Sequence, residues 1–377
     1  MPVVLILCLA LLAYVYAGYP LFCALLSVVR RRRIAAAPHT PRVSILIAAH
    51  NEVACIGQTV RNKLALDYPP ELLEIVVVSD GSTDGTDEAV AAIASGEPRV
   101  RLLRQEPRAG KTSALNLAQA HVTGEIIVFS DANSLYAPDS LRKLMEPFAD
   151  PAVGYATGRM LYRARDGSLT GEGCSAYMRY ENMLRGLETS VGSVVGVDGG
   201  IDAVRRDLYT VMRADQQPDF VLPLSVVARG RRVVYAPGAR VYEASLSETK
   251  AEFRMRTRVA LRAWHALRDM AGLLDPTRHG LFSWQLFSHK WLRYLAPVFQ
   301  ALALLSNLAL AGRGGAWDAL LALQGAFYLL AALGFLGLRL PSPLSFPYYL
   351  CLLNAAAGNA LLRFLAGQRQ VIWTPRT

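Results

Sequence analysis

The chain has 377 residues, 53% of them hydrophobic and 19% charged, with a mean hydropathy of +0.25. That balance is too apolar for a purely soluble protein, so membrane segments are expected. The net charge of +10 calls for an anionic partner. No RNA- or DNA-binding module is present, so headgroups and phosphate-bearing substrates fit better than nucleic acid.

Residues 1–29 carry no charged side chain, and Arg30, Arg31, Arg32 and Arg33 follow at once. About 20 apolar residues span a bilayer as a helix, and clustered arginines mark the cytoplasmic end. The pattern predicts a retained anchor. A signal peptide would start with basic residues and have a shorter apolar run. Residues 30–41 read as a basic linker. Val43–Ala49 is an uninterrupted apolar run, the mark of a strand covered on both faces, with His50, Asn51 and Glu52 at its carboxyl end. Residues 56–66 read as a helix. Residues 74–78 form the next strand, which ends at Ser79 and Asp80. The glycines that follow let the backbone approach a ligand, and Asp84 or Thr83 caps a helix to Ala94.

Residues 99–103 are a short strand, and Gly110, Lys111 and Thr112 open another helix. A P-loop is rejected because Gln105 stands where that motif needs glycine. Lys111 at a helix start still aims a cation at a phosphate. The strand at 125–130 runs into Asp131, with Asn133 two residues on. Ligands collect past the carboxyl ends of open parallel sheets, and hard oxygens there suit a divalent cation holding a phosphorylated substrate. The competing reading makes Asp131 a cap for the helix at 138–148. A strand follows at 153–160. Strands alternating with helices at this pitch predict a right-handed, largely parallel α/β sheet.

A long helix covers 171–187. The pair Gly199-Gly200 after Asp198 suggests a ligand or a second backbone close by. Asp219 opens a helix to about residue 229, as a cap or as a functional acid. Residues 232–236 and 239–243 read as two short strands. Helix 252–268 is basic, with Arg254, Arg258 and Arg262 on one face and Trp264 and His265 near its end. Residues 281–294 mix aromatic and cationic side chains, as membrane interfaces do. Three apolar stretches of near-spanning length follow at 295–311, 317–338 and 346–365. Four spans would put both chain ends outside, whereas Arg363, Arg369 and Arg376 favour a cytoplasmic C-terminus. Either one stretch is re-entrant or the charge rule is weak here. The five cysteines (Cys8, Cys23, Cys55, Cys174 and Cys351) have no zinc-ligand or CxxC spacing and read as packing residues.

Taken in order, residues 43–52, 78–86, 110–116, 130–133 and 219–224 resemble family 2 glycosyltransferases, inverting enzymes of the GT-A fold. The resemblance covers about residues 41–265. It is greatest to the membrane-embedded branch that includes cellulose, chitin and hyaluronan synthases. It implies an α/β, Rossmann-like, mostly parallel cytoplasmic domain over 42–268. An interfacial segment at 269–294, three transmembrane or re-entrant helices within 295–366 and a basic tail at 367–377 would follow. The protein would be multi-pass in a cell membrane, as in a bacterial inner membrane. Its donor would be a nucleoside diphosphate sugar, UDP-linked first, its acceptor a lipid or growing saccharide, and its cofactor Mg²⁺ or Mn²⁺.

By the same resemblance, Glu52 and Asp80 would contact the nucleoside, Lys111 the nucleotide, and Asp131 and Asn133 the metal. Gly199, Gly200, Arg258, Arg262 and Trp264 would line the sugar and acceptor pocket, and Asp219 would be the general base. Three departures stand out: Asn133 replaces an aspartate, Pro218 replaces the acid usual beside Asp219, and Ala263 precedes Trp264 where processive members have arginine. The last weakens the reading as a processive synthase that extrudes its product. A catalytically silent membrane scaffold is the alternative from another class.

Overall fold

The computed structural model describes residues 1–163, 172–244, 249–338, 340–341 and 343–371. The chain divides into two compact units. One comprises Met1–Val28, Gly171–Tyr177 and Leu246–Arg369. The other comprises Val29–Thr170, Met178–Ser245 and Gln370–Thr377.

The second unit holds a single eight-stranded sheet among the described residues. Its strands are β1 (Val43–Ala49), β2 (Leu73–Asp80), β3 (Val100–Gln105), β4 (Ile126–Asp131), β5 (Leu135–Tyr136), β6 (Val153–Arg163), β7 (Ile201–Arg205) and β8 (Arg232–Ala244). Their order across the sheet is β3-β2-β1-β4-β7-β6-β8-β5. The apolar run of β1 is buried along its whole length, and Ile45, Leu46, Ile47, Ile75, Val76, Val77 and Val78 are fully enclosed. Enclosing one such side chain is worth about 1.5–3 kcal/mol, so the central strands hold the core. Helices α2 (Val53–Leu64), α3 (Thr86–Ala94), α4 (Lys111–Gln119) and α5 (Ser140–Met145) follow β1, β2, β3 and β5. The chain steps outward from β1 to β3, then returns to β4 on the other side of β1. This reversal leaves a crevice at the carboxyl ends of β1 and β4.

β1 pairs in parallel with β2 and β4, and β2 with β3. Beyond β4 the sheet is mixed: β7 is antiparallel to β4 and β6, β6 is parallel to β8, and β5 is antiparallel to β8. A largely parallel sheet therefore describes the first four strands only. Residues 232–236 and 239–243 belong to one strand rather than two. The register jumps from Thr157–Tyr235 to Arg159–Arg240, leaving Ala236, Pro237, Gly238 and Ala239 bulged opposite Gly158. Gly158 allows the bulge because a Cβ there would lie 2.6 Å from the Ala239 carbonyl oxygen. After the sheet's β6 come α6 (Glu172–Val191) and α7 (Pro218–Ala228).

The first unit is helical. α1 spans Pro2–Val29 with one π-turn, and α8 (Thr249–Asp269), α9 (Leu292–Leu308), α10 (Gly315–Phe335) and α11 (Phe346–Leu365) follow later in the chain. α1 packs on α9 through Leu5, Cys8 and Ala303, joined by Leu310 beyond the end of α9. α8 packs on α11. Polar links join the helices: Tyr16 donates to Asn354 Oδ1 at 2.8 Å, and Asn354 Nδ2 donates to Gln300 Oε1 at 3.1 Å. Among the described residues, α1 and α10 are long and apolar enough to cross a membrane. α9 and α11 coincide with the other two apolar stretches. Residues 281–294 are two helical pieces joined by a π-turn at Phe287–Trp291. Cys8, Cys23, Cys55 and Cys351 are free, while the Cys174 side chain and the tail from residue 372, Arg376 included, lie outside the described residues.

The start of β4 is packed tightly against β1. Gly124 N–H donates to Ser44 Oγ at 2.9 Å, and Ser44 Oγ donates to Glu74 Oε1 at 2.5 Å. A Cβ on Gly124 would come within 2.6 Å of the Ser44 backbone nitrogen and 2.8 Å of the Val43 carbonyl carbon. Backbone atoms in a buried strand cannot step aside, so Gly124→Ala is expected to destabilise the second unit by about 1–3 kcal/mol. Denaturant unfolding of the two proteins side by side measures it, and an unchanged midpoint would contradict this packing.

Candidate active site

The polar residues after β1, β2 and β4 come together at one edge of the sheet. Asp131, the last residue of β4, pairs with Ala48 of β1, and Ser79 of β2 pairs with Ala49. The loops after β1 and β2 brace each other. His50 Nδ1 donates to the Asp80 carbonyl at 2.8 Å, and Asn51, at a positive φ of 55°, accepts from Thr83 N–H at 2.9 Å. Glu52 N–H donates to Thr86 Oγ1 at 2.9 Å, and the Glu52 carboxylate accepts from the Cys55 thiol. Asp84 bonds the N–H groups of Val53 and Thr86, tying the starts of α2 and α3 together.

Asp80 is fully enclosed, and its oxygens organise the loop that delivers Lys111. Oδ1 accepts from Ala109 N–H at 2.8 Å and from Gln105 Nε2 at 2.5 Å, Oδ2 accepts from Gly110 N–H at 3.0 Å, and Arg108 lies 3.6 Å away. Gly110, at φ +95°, then turns the chain into α4. Lys111, first in that helix, donates its ammonium to Asp131 Oδ1. Burial opposes the charge on Lys111, but Asp131, Asp219 and Glu243 outweigh it and raise its pKa.

Asp219 lies in the first turn of α7, where a carboxylate suits the helix N-terminus. Gln217 Nε2 donates to its Oδ2 at 3.1 Å. That oxygen sits 2.7 Å from where a Cβ of Gly199 would be, and Gly199 has φ +85°. Only glycine fits both the space and the backbone at that position. Gly200 is crowded likewise, by Met160 and by Glu243 Oε1. Asn133 lies two residues past Asp131, on the turn leading to β5. Glu52, Asp80, Lys111, Asp131, Asn133, Gly199, Gly200 and Asp219 all fall in the sheet unit. Arg258, Arg262 and Trp264 lie on α8 in the helical unit. There Trp264 is buried among Trp291, Tyr294 and Phe364, with ring centroids 5.4, 5.9 and 5.7 Å away.

Four residues that sequence reasoning passed over prove central. Arg185 forms a buried two-pronged ion pair with Asp198, at 2.6 and 2.7 Å, and also bonds the Gly196 carbonyl, fixing the loop before Gly199. Glu243 accepts from Ser134 Oγ at 2.5 Å. Lys63 is fully buried beneath the turn after Asp131. Asp202, the second residue of β7, accepts from Tyr155 OH at 3.0 Å and from Gly199 N–H at 3.1 Å, both at Oδ2. Burial, with Asp219 and Asp198 adding to it, pushes its pKa up to about 7. A lone charge inside a strand or helix gives no hint in the sequence that it faces inward.

No three His, Cys, Asp or Glu side chains cluster as a metal site among the described residues. The donors present fit a different pattern. One carboxylate and one amide oxygen at a strand end suit Mg²⁺ or Mn²⁺ completing its coordination with substrate phosphates. The Lys111 ammonium on Asp131 shows that this carboxylate already faces a cation.

Asp202 yields a pH prediction. Its pKa is about 7 folded, against 3.8 ordinarily. The folded chain therefore binds its proton more tightly, so this group favours folding in acid and loses that contribution as pH rises from about 4 to 7. The limiting slope is about 1.4 kcal/mol per pH unit. Asp202→Asn keeps an acceptor oxygen and removes the slope. Unfolding midpoints at about pH 4.5 and pH 7.5 should show the variant gaining on the parent at the higher pH, and parallel responses would contradict the assignment.

Residues 44–209 match the family model described as Glycosyl transferase family 2. Asp219 lies beyond that match. The chain is 32% identical over 168 residues to the beta-monoglucosyldiacylglycerol synthase of Nostoc sp., covering 44% of this chain and 36% of that protein. It is 26% identical over 246 residues to the poly-beta-1,6-N-acetyl-D-glucosamine synthase of Staphylococcus aureus, covering 64% of this chain and 59% of that one. The chain thus spans between about a third and three-fifths of the length of these relatives. The solved structure of the mannosyltransferase PcManGT from Pyrobaculum calidifontis, in complex with GDP-Man and Mn²⁺, superposes with a TM-score of 0.76 and 26% identity. That likeness covers 97% of this chain and 99% of the other. The mixed α/β sheet is consistent with the GT-A fold, and residues 44–209 are the stretch that matches the family 2 glycosyltransferase model.

Proposed function

We propose that the protein is a membrane-bound inverting glycosyltransferase that moves a sugar from a nucleoside diphosphate sugar to a lipid or saccharide acceptor. The observation that carries this reading is the ammonium of Lys111, which Asp131 and Asp219 both stabilise although they come from distant parts of the sequence. A cation resting on one carboxylate and in the field of a second at a sheet crevice is the arrangement needed to grip a diphosphate beside a general base. α1 and α10 would anchor the chain in the membrane, with the arginines after α1 on the cytoplasmic side. The resemblance in sequence favours a UDP-sugar. The similar mannosyltransferase structure contains GDP-Man, so both nucleotides belong in any test. The glycolipid and polysaccharide synthases among its relatives support both acceptor classes.

In the proposed mechanism Glu52, Asp80 and the loop after β3 that Asp80 braces hold the nucleoside end of the donor. Lys111 moves from Asp131 toward the diphosphate and supplies positive charge to the leaving group. Asp131 and Asn133 would hold a divalent cation, which when bound would neutralise further charge on the departing diphosphate. The missing side chain at Gly199 leaves the Asp219 carboxylate room to face the acceptor. Asp219 takes the proton from the acceptor hydroxyl as that oxygen attacks the anomeric carbon from the side opposite the diphosphate. The C–O bond to the acceptor forms as the bond to the phosphate oxygen breaks, so the anomeric configuration inverts. Single transfer is favoured over chain extension because Ala263 interrupts the processive pattern before Trp264. Product length on a gel separates the two.

Two outcomes test the roles. Asp219→Asn should bind donor normally and lose transfer by at least about 10²-fold, the lower range for general-base assistance. Near-normal turnover would remove Asp219 from that role. Asp131→Ala should abolish the Mn²⁺ dependence of UDP or GDP binding, and an unchanged metal dependence would remove it as a ligand. Screening a panel of UDP- and GDP-sugars for released nucleotide identifies the donor. Failure with every donor would favour a silent scaffold.

A further inference from the structure

The turn that carries Asp131 and Asn133 is held from behind by one helix. Three carbonyls of this turn, at alternate residues, receive side-chain donors from α2. Thr59 Oγ1 donates to the Ala132 carbonyl at 2.6 Å, Lys63 Nζ to the Ser134 carbonyl at 2.6 Å, and Asn62 Nδ2 to the Tyr136 carbonyl at 3.0 Å. The Asn62 amide also accepts, since Tyr136 N–H donates to its Oδ1 at 2.8 Å. Residues three and four apart share one face of a helix, so positions 59, 62 and 63 form a single patch. Two of the three are closed to water, Thr59 at 1% exposed and Lys63 at 0%, while Asn62 is partly exposed. Lys63 Nζ also lies 3.6 Å from the centroid of the Tyr136 ring and bonds Asn62 Oδ1 at 3.1 Å. On the other side of the turn, the Ser134 hydroxyl donates to Glu243.

A surface turn ordinarily leaves its carbonyls to water. Here the carbonyls face inward and all three partners are side chains, so the chain has invested a buried lysine, a buried threonine and an amide in fixing five residues. Packing alone does not call for this, because an apolar helix face would bury the same area without enclosing a lysine amine. We infer that Thr59, Asn62 and Lys63 are positioning residues that fix the backbone of residues 132–136 and so set where Asp131 and Asn133 present their oxygens to a divalent cation. The inference rests on the proposed metal role of Asp131 and Asn133. The three residues touch neither donor nor acceptor. They act through the turn, as outer partners that orient metal ligands do, and loss of such partners typically costs about 10–100-fold in metal affinity.

The test uses the full-length detergent-solubilised protein with Mn²⁺ and either UDP or GDP. Bound Mn²⁺ is followed by loss of the free-ion electron paramagnetic resonance signal, a readout independent of turnover. Thr59→Val keeps the shape of the side chain and removes the hydroxyl, and Asn62→Leu removes the amide without adding charge. Each is expected to weaken Mn²⁺ binding roughly tenfold. Thr59→Ser, which retains the hydroxyl, should bind close to the parent. A purely structural role would lower the melting temperature in Thr59→Val and Asn62→Leu and leave Mn²⁺ affinity unchanged, which would overturn the inference. Asp131→Ala is measured alongside. If it leaves Mn²⁺ affinity intact, the metal site itself is wrongly assigned and the inference falls with it. If it abolishes binding while the α2 variants bind normally, only the positioning role is lost.

Discussion

One ammonium draws together three carboxylates of the sheet unit. Lys111 rests on Asp131 and lies in the field of Asp219 and Glu243, carboxylates that come from three separate stretches of the sheet unit. Three acids converging at the end of a sheet would repel one another without a cation among them. Lys111 is the cation the chain itself supplies, and its position depends on Asp80, whose oxygens take the backbone N–H groups of Ala109 and Gly110 and set the start of α4. The interior carboxylate that shapes the loop thus determines where the lysine meets the crevice.

The same edge shows how a polar site is kept inside an apolar sheet. Buried charges are tolerated only when paired and bonded, and the pairing here is nearly complete. Arg185 is matched to Asp198, and Lys63 is bonded to Ser134 and Asn62 with Glu243 close behind. Asp202 is balanced less fully. Tyr155 and Gly199 both bond its Oδ2, and burial holds its carboxyl toward the neutral form. It also grips Gly199, the residue against which Asp219 lies. A carboxyl held toward its neutral form therefore stands directly behind the proposed base.

The helical unit follows a different logic. α1 and α10 expose large apolar side chains such as Ile6, Leu7, Leu21, Leu323 and Phe335, while the links between helices are amides and tyrosine hydroxyls. In the proposed membrane setting such helices would gain little from burying more hydrocarbon, and hydrogen bonds of this kind would give their packing specificity. Trp264 is enclosed there by Trp291, Tyr294 and Phe364, a cluster that holds the end of α8.

The sequence by itself determined the central strands. The apolar run Val43–Ala49 is unbroken because both faces of β1 are covered, and the runs of β2 and β4 are readable for the same reason. It also marked the strand ends, because a polar residue that stops such a run has to lie at the sheet's edge. Tertiary structure alone decided the mixed half of the sheet. β7 is five residues long, begins directly after two glycines and carries Asp202 at its second position, so no local period announces it. β5 has only two residues and exists because Tyr242 and Val241 lie opposite. Lys63, Arg185 and Glu243 look like solvent-facing charges in one dimension. Their burial depends on which distant carbonyl or carboxylate the fold brings to them, and that information is spread over pairs of residues far apart in the chain.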